Sequence, residues 1–299
     1  MKKKAAIGLS LLVGVALLAT TAFASGSGLN GYDLYKQAFQ NTRAATSLTA
    51  TAAVTISDNG NVLLKSNAVV KADHQSKDLS AAVNLTSGSQ SDQLLAYRQN
   101  GQIITKLADN PVYNILSFQP GNSPWSKQWN RQHSQSSAGG VQNIIDLLAG
   151  NFQNYISTSS TANGDKQVSL ALSGNQIPSL ANAVASMVVR QGALHMAQLQ
   201  NPVCPVQAAV AAQFPQLING IEISNVGLKA DIDPNNVIKE QTANVTISGK
   251  DAQGKTHQLV LNLAVTFSNL NNTTPDSVNL SGKQVKTVQA KAWAAVHSR

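Results

Sequence analysis

Residues 257–267 read HQLVLNLAVTF, with Leu259, Leu261, Leu263, Val265 and Phe267 at every second position. Side chains repeat every two residues only along a strand, so this segment has one apolar face and one wetter face. A strand of that kind must be covered on its apolar side, by another sheet, by helices or by a bound ligand. The same period governs Leu48, Ala50, Ala52, Val54 and Ile56, then Leu79, Ala81, Val83 and Leu85, and later Val168, Leu170 and Leu172. Asp58–Asn61 and Asn100-Gly101 carry the Asn-Gly signal of tight hairpins. Residues 48–107 therefore read as an antiparallel meander of five strands, entered through a helix over Tyr32–Ala45.

The period then changes. Pro111, Pro120 and Pro124, with Gly121, Gly139 and Gly140, mark an extended connection. A mainly helical block follows at about 140–220, interrupted by the strand KQVSLALSG. Its second helix carries Leu180, Val184, Met187, Val188 and Leu194. Its third starts near Pro205 and is lined by Val206, Val210, Phe214 and Leu217. Strands return from Gly220. The apolar phase slips near Asn225, which predicts a bulge. A polar exit leads to a tail over 282–299. Helix, strands, helices, strands is the order of an α+β domain with an antiparallel sheet and helices gathered on one face.

The first residues have the features of an export signal. MKKK is a positive start, AAIGLSLLVGVALLA an apolar run, and Ala22 and Ala24 precede Ser25 as small cleavage-site residues. The expected organisation is a signal peptide at 1–24, one domain at 25–281 and the tail. The formal charge falls from +8 to +5 once Lys2, Lys3 and Lys4 leave with the signal. The remaining basic residues are scattered, without the basic stripe and interleaved aromatics of a nucleic-acid binder. Cys204 is the sole cysteine, which excludes an internal disulfide framework.

The layout of export signal, DLYKQAFQNTRAATSLTATAAVTIS entry, hairpin meander, central helices and final meander resembles the lipoprotein-localisation (LolA/LolB-like) and mycobacterial LppX/LprG-like superfamily. The likeness is one of pattern over Gly31 to Leu280, not of a motif. It implies a curved antiparallel half-barrel with helices covering the concave face, and a lipid or lipoprotein acyl chain held between the two. On that basis Leu259, Leu261, Leu263, Val265 and Phe267, facing Val184, Met187 and Val188, are the candidate cavity residues. Ser25 stands where many relatives carry the lipidated cysteine, so the chain is expected in the extracellular or envelope space without a lipid anchor.

Catalytic signatures are absent from the sequence: it has no G-x-S-x-G, P-loop or G-x-G-x-x-G. The five histidines form no H-x-x-x-H pair. Asp231 and Asp233 in ADIDPNN read as a turn and not as a calcium loop. Neither an enzyme nor a resident cofactor or metal is expected. Trp125 and Trp129, beside Lys127 and Arg131, read either as two rings that pin a loop to the body or as an exposed aromatic and basic patch for glycan or headgroup contact, with a wall polymer or an envelope protein as its partner. Two readings follow: a carrier of a hydrophobic ligand, or an envelope interaction module with a filled core.

Overall fold

The computed structural model describes residues 31–117, 155–161, 163–177, 179, 182 and 205–289. Its frame is an open, curved sheet of twelve strands. In chain order they are β1 (Ser47–Asp58), β2 (Asn61–Asp73), β3 (Asp78–Ser87), β4 (Gln90–Gln99), β5 (Gln102–Leu107), β6 (Val112–Ser117), β7 (Ile156–Ser160), β8 (Lys166–Ser173), β9 (Asn219–Ile232), β10 (Ile238–Lys250), β11 (Thr256–Ser268) and β12 (Gln284–Gln289). Two helices are described in full, α1 (Gly31–Arg43) and α2 (Pro205–Gln213). The strand order is β12-β6-β5-β4-β3-β2-β1-β11-β10-β9-β8-β7. The expected meander of β1 to β5 forms. Pairing of β1 with β11 joins it to the second group of strands, with Ala52 opposite Val265 and Val54 opposite Leu263.

Register fixes which side chains share a face. The alternating residues Ala50 to Ile56, Leu259 to Phe267 and Gln241 to Ile247 lie on one side. So do Ala230, Leu228 and Val226 of β9, and Val168, Leu170 and Leu172 of β8. Both helices pack on this apolar face. Tyr35 and Ala38 of α1 join Val168, Ala230, Ile232 and Ile238, and Tyr35 stacks on Phe39 at 6.4 Å. Val206 and Val210 of α2 join Leu64, with Ile56, Leu85 and Leu107 around them. The first turn of α2 donates the Val206 N–H to Asp92 Oδ2 at 2.9 Å. A carboxylate there satisfies a free amide and meets the positive end of the helix.

Two of the register shifts adjust the faces. Ile56 pairs with Leu64 but Ser57 with Val62, so Leu63 is the extra residue. Two successive leucines are thereby both buried. Leu64 serves the α2 contact, and Leu63 joins Leu217, Ile221 and Leu259 at the end of the sheet. The bulge expected near Asn225 is found at Ser224, since Thr246 pairs with Asn225 and Ile247 with Ile223. The Ile223 N–H donates to Asn182 Oδ1 at 2.8 Å. Leu217 approaches the backbone at Gly249, where a Cβ would lie 3.1 Å from its Cδ1. The Asn100-Gly101 hairpin has φ of 50° and 71°, a two-residue turn that needs both positions left-handed.

Three expectations are corrected. Residues 112–117, expected within an extended connection, are β6, and residues 156–160, expected within the helical block, are β7. Residues 284–289, assigned to the tail, are β12, which pairs in parallel with β6, so the sheet is not wholly antiparallel. The run between β11 and β12 reaches that edge by crossing the polar face. Asn271 N–H donates to Ser47 O, Thr273 and Thr49 join hydroxyls at 2.9 Å, Asp276 meets Lys71 at 2.8 Å, and Val278 exchanges backbone bonds with the Gln99 amide. With the Ser80 hydroxyl, which accepts the Asp276 N–H at 2.9 Å, these partners are why Ser47, Thr49, Ser80 and Thr273 are tolerated as buried polar residues. The first helix stops at Arg43, two residues before its expected end.

Candidate functional site: an apolar strip between two helices

The apolar row of β11 faces the helix side. Leu259, Leu263 and Val265 are buried, and Leu261 and Phe267 half-buried. Eight residue steps from Leu259 to Phe267 span roughly 27 Å. The structure divides this row into three environments. Leu259 belongs to the sheet-end cluster with Leu63, Leu217 and Ile221. Phe267 touches the cluster beneath α1. In the middle, Val54, Leu263 and Val265 form a core with Ala50, Ala52, Ile56, Ala243 and Leu261, and Phe267 packs against this core too. Among the described residues, every hydrophobic neighbour of this central core comes from β1, β10 or β11. The two described helices cover the margins of the face, and the full lid expected from the resemblance is not present in them. Val184, Met187 and Val188, expected opposite the row, lie outside the described residues, as do Trp125, Lys127, Trp129, Arg131 and Cys204.

The space under α1 is filled. A void lined by Tyr35, Ile156, Val168, Leu170, Leu228 and Gln241 measures about 20 Å³. That is room for one water, against several hundred Å³ for a ligand pocket. Tyr35 Oη donates to Gln241 Oε1 at 3.0 Å within this core. Burial pushes the phenol far above its ordinary value, against a smaller opposing effect of that bond. On the opposite face a shallow saddle is lined by Ala53, Thr55, Thr242, Asn244, Asn262 and Ala264, small or uncharged polar side chains. Ala243 and Leu263 also line it, and no charged side chain does. Asp233 accepts the N–H groups of Asn235 and Val237, so ADIDPNN is a turn as expected.

One polar constellation was passed over by sequence reasoning. His257 begins the same odd-numbered row and is buried. Its Nδ1 lies 2.7 Å from Asp58 Oδ2 at the end of β1, and its Nε2 lies 3.2 Å from Asp251 Oδ2 in the β10–β11 turn. Burial opposes the imidazolium, but the two carboxylates overcome it and raise the His257 pKa. Burial likewise opposes the Asp251 carboxylate, while His257 and the N–H groups of Lys255 and Gln253 bring its pKa below the ordinary value. The readable signal was phase: His257 stands two positions before Leu259 and so points to the same side.

No family model and no curated protein matches this chain. Among solved structures, a LolA superfamily protein from Nitrosomonas europaea is 6% identical, over 85% of this chain and 97% of that one, with a TM-score of 0.22. A beta-barrel-like protein of a domain of unknown function from Brucella abortus is 8% identical, over 75% and 98%, with a TM-score of 0.19. Likenesses this distant say nothing about activity, and the fold described above stands on strand pairing alone.

Proposed function

We propose that this chain is an exported, non-enzymatic carrier or sensor of a hydrophobic ligand, of the lipid or lipoprotein acyl-chain class, held on the strip between α1 and α2. The observation that carries this reading is the continuous apolar face that strand register builds from β1, β10 and β11 around Val54, Leu263 and Val265. An acyl chain laid there would be held by burial alone, at roughly 0.8 kcal/mol per CH₂. Export and the absence of a lipid anchor rest on the MKKK-to-Ala24 segment and on Ser25. The second reading, an envelope interaction module with a filled core, is favoured by the single-water void under α1. Its partner would be a wall polymer or an envelope protein.

Leu261→Trp separates the two. Leu261 is half-buried in the strip, opposite Ile56 on β1 and Val245 on β10. On the carrier reading the indole fills ligand space. Uptake of a fluorescent fatty-acid analogue by the folded protein should then fall by about tenfold or more, which is ~1.4 kcal/mol. On the filled-core reading the substitution overpacks and costs about 1–3 kcal/mol of stability, with dye uptake as low as in the parent. Val245→Trp on the neighbouring strand repeats the test if the first variant does not fold. Strong uptake unchanged in both variants excludes the strip as the site.

A further inference from the structure

We propose that His257 is a proton-dependent fastener that clamps the β10–β11 turn to the end of β1 and thereby holds the segment behind α2 against the sheet. The geometry requires it. Both ring nitrogens face carboxylate oxygens, Asp58 at 2.7 Å and Asp251 at 3.2 Å. A carboxylate only accepts, so both contacts are hydrogen bonds only when both nitrogens carry protons. Neutral imidazole has one N–H, and its other nitrogen then presents a lone pair to an oxygen of the same sign. Deprotonation must therefore break one arm.

The Asp251 arm is the longer, and its loss has a route into the fold. The Asp251 carboxylate also organises its own turn, with Oδ1 accepting from Gln253 and Lys255 N–H at 2.9 Å. The preceding residue, Lys250, accepts the Ile218 N–H at 2.9 Å. Ile218 follows Leu217, which is 1% exposed in the cluster with Leu63, Ile221 and Leu259. The charged groups facing His257 are Asp58 from β1 and Asp251 from the turn. Lys250 and Lys255 flank the turn and are exposed, and the Phe214–Ile218 segment has no titratable side chain. The elevated His257 value places the loss of this stabilisation above the ordinary imidazole value of ~6.5, as pH rises through the folded-state pKa. The depressed Asp251 value confines its own loss to acid, as pH falls through a pKa below the ordinary carboxylate range. The clamp is closed between those limits, whether or not the strip holds a ligand.

Nitrogen-detected NMR of the imidazole rings in the full chain tests this, with His257 assigned by comparison with His257→Gln. The expected result is two ring N–H signals at pH 6 and a titration midpoint above ~6.5. Ile218 amide protection, corrected for intrinsic exchange, should drop through that midpoint. Asp251→Asn should lower the midpoint. A single ring N–H at pH 6, or Ile218 protection that is flat across the titration, overturns the proposal. The Ile218 reading comes from the unmodified protein and holds if either variant fails to fold.

Discussion

Tyr35→Ala is expected to lower the free energy of unfolding by about 3–5 kcal/mol, the usual cost of deleting a buried aromatic ring. Tyr35 is the residue through which α1 enters the sheet. It shares one core with Val168, Ala230, Ile232 and Ile238, and its hydroxyl bonds to Gln241, itself 4% exposed. Truncation opens a cavity beside three fully or almost fully buried side chains and removes one partner of a buried amide. Tyr35→Phe keeps the ring and loses the bond, so it should cost about 1–2 kcal/mol. Urea unfolding at neutral pH, followed by circular dichroism, gives both numbers. Since domains are stable by only about 5–15 kcal/mol, the alanine variant should show a strongly reduced midpoint. A loss under ~1 kcal/mol, far below the expected cavity cost, means that α1 is not docked as described.

Leu217→Asp is expected to be at least as severe. Leu217 is 1% exposed and sits between Leu63, Ile221 and Leu259, with Phe214 and Ile247 at the rim. The variant loses a leucine's burial, about 1.5–3 kcal/mol, and places a carboxylate where no cation is within the cluster. Gly249 admits the native side chain at close range, so the site has little room to rearrange. The expected result is loss of a cooperative transition or a drop of more than about 4 kcal/mol, whereas Leu217→Met stays under about 1.5 kcal/mol. Limited proteolysis gives a local readout, with cleavage in the aspartate variant appearing first near residues 214–218. Normal stability in that variant contradicts the docking of this segment.

The strands with one buried face were legible because their period of two is unbroken. Leu48 to Ile56 and Leu259 to Phe267 announce themselves, and so did the slip at Asn225. Sequence could not say that these two strands are neighbours. That pairing brings together residues more than 200 positions apart, and any alternating strand could have taken either place. The edge strands were missed for the opposite reason. Ile156–Ser160 reads ISTSS and Gln284–Gln289 reads QVKTVQ, and an edge strand has less apolar surface to hide. The candidate strip was half legible. Its β11 row was named, but its partners Val54, Ala52 and Ala243 depend on register. His257 was passed over because its two carboxylates lie 199 and 6 positions away, and only folding brings the first within reach.

The central question is whether the strip holds a ligand. Native mass spectrometry of the protein purified from its own host, before and after extraction with organic solvent, addresses that directly. The account predicts a co-purifying hydrophobic mass that disappears on extraction, together with dye uptake by the extracted, folded protein. A clean unliganded mass with no dye uptake would contradict it.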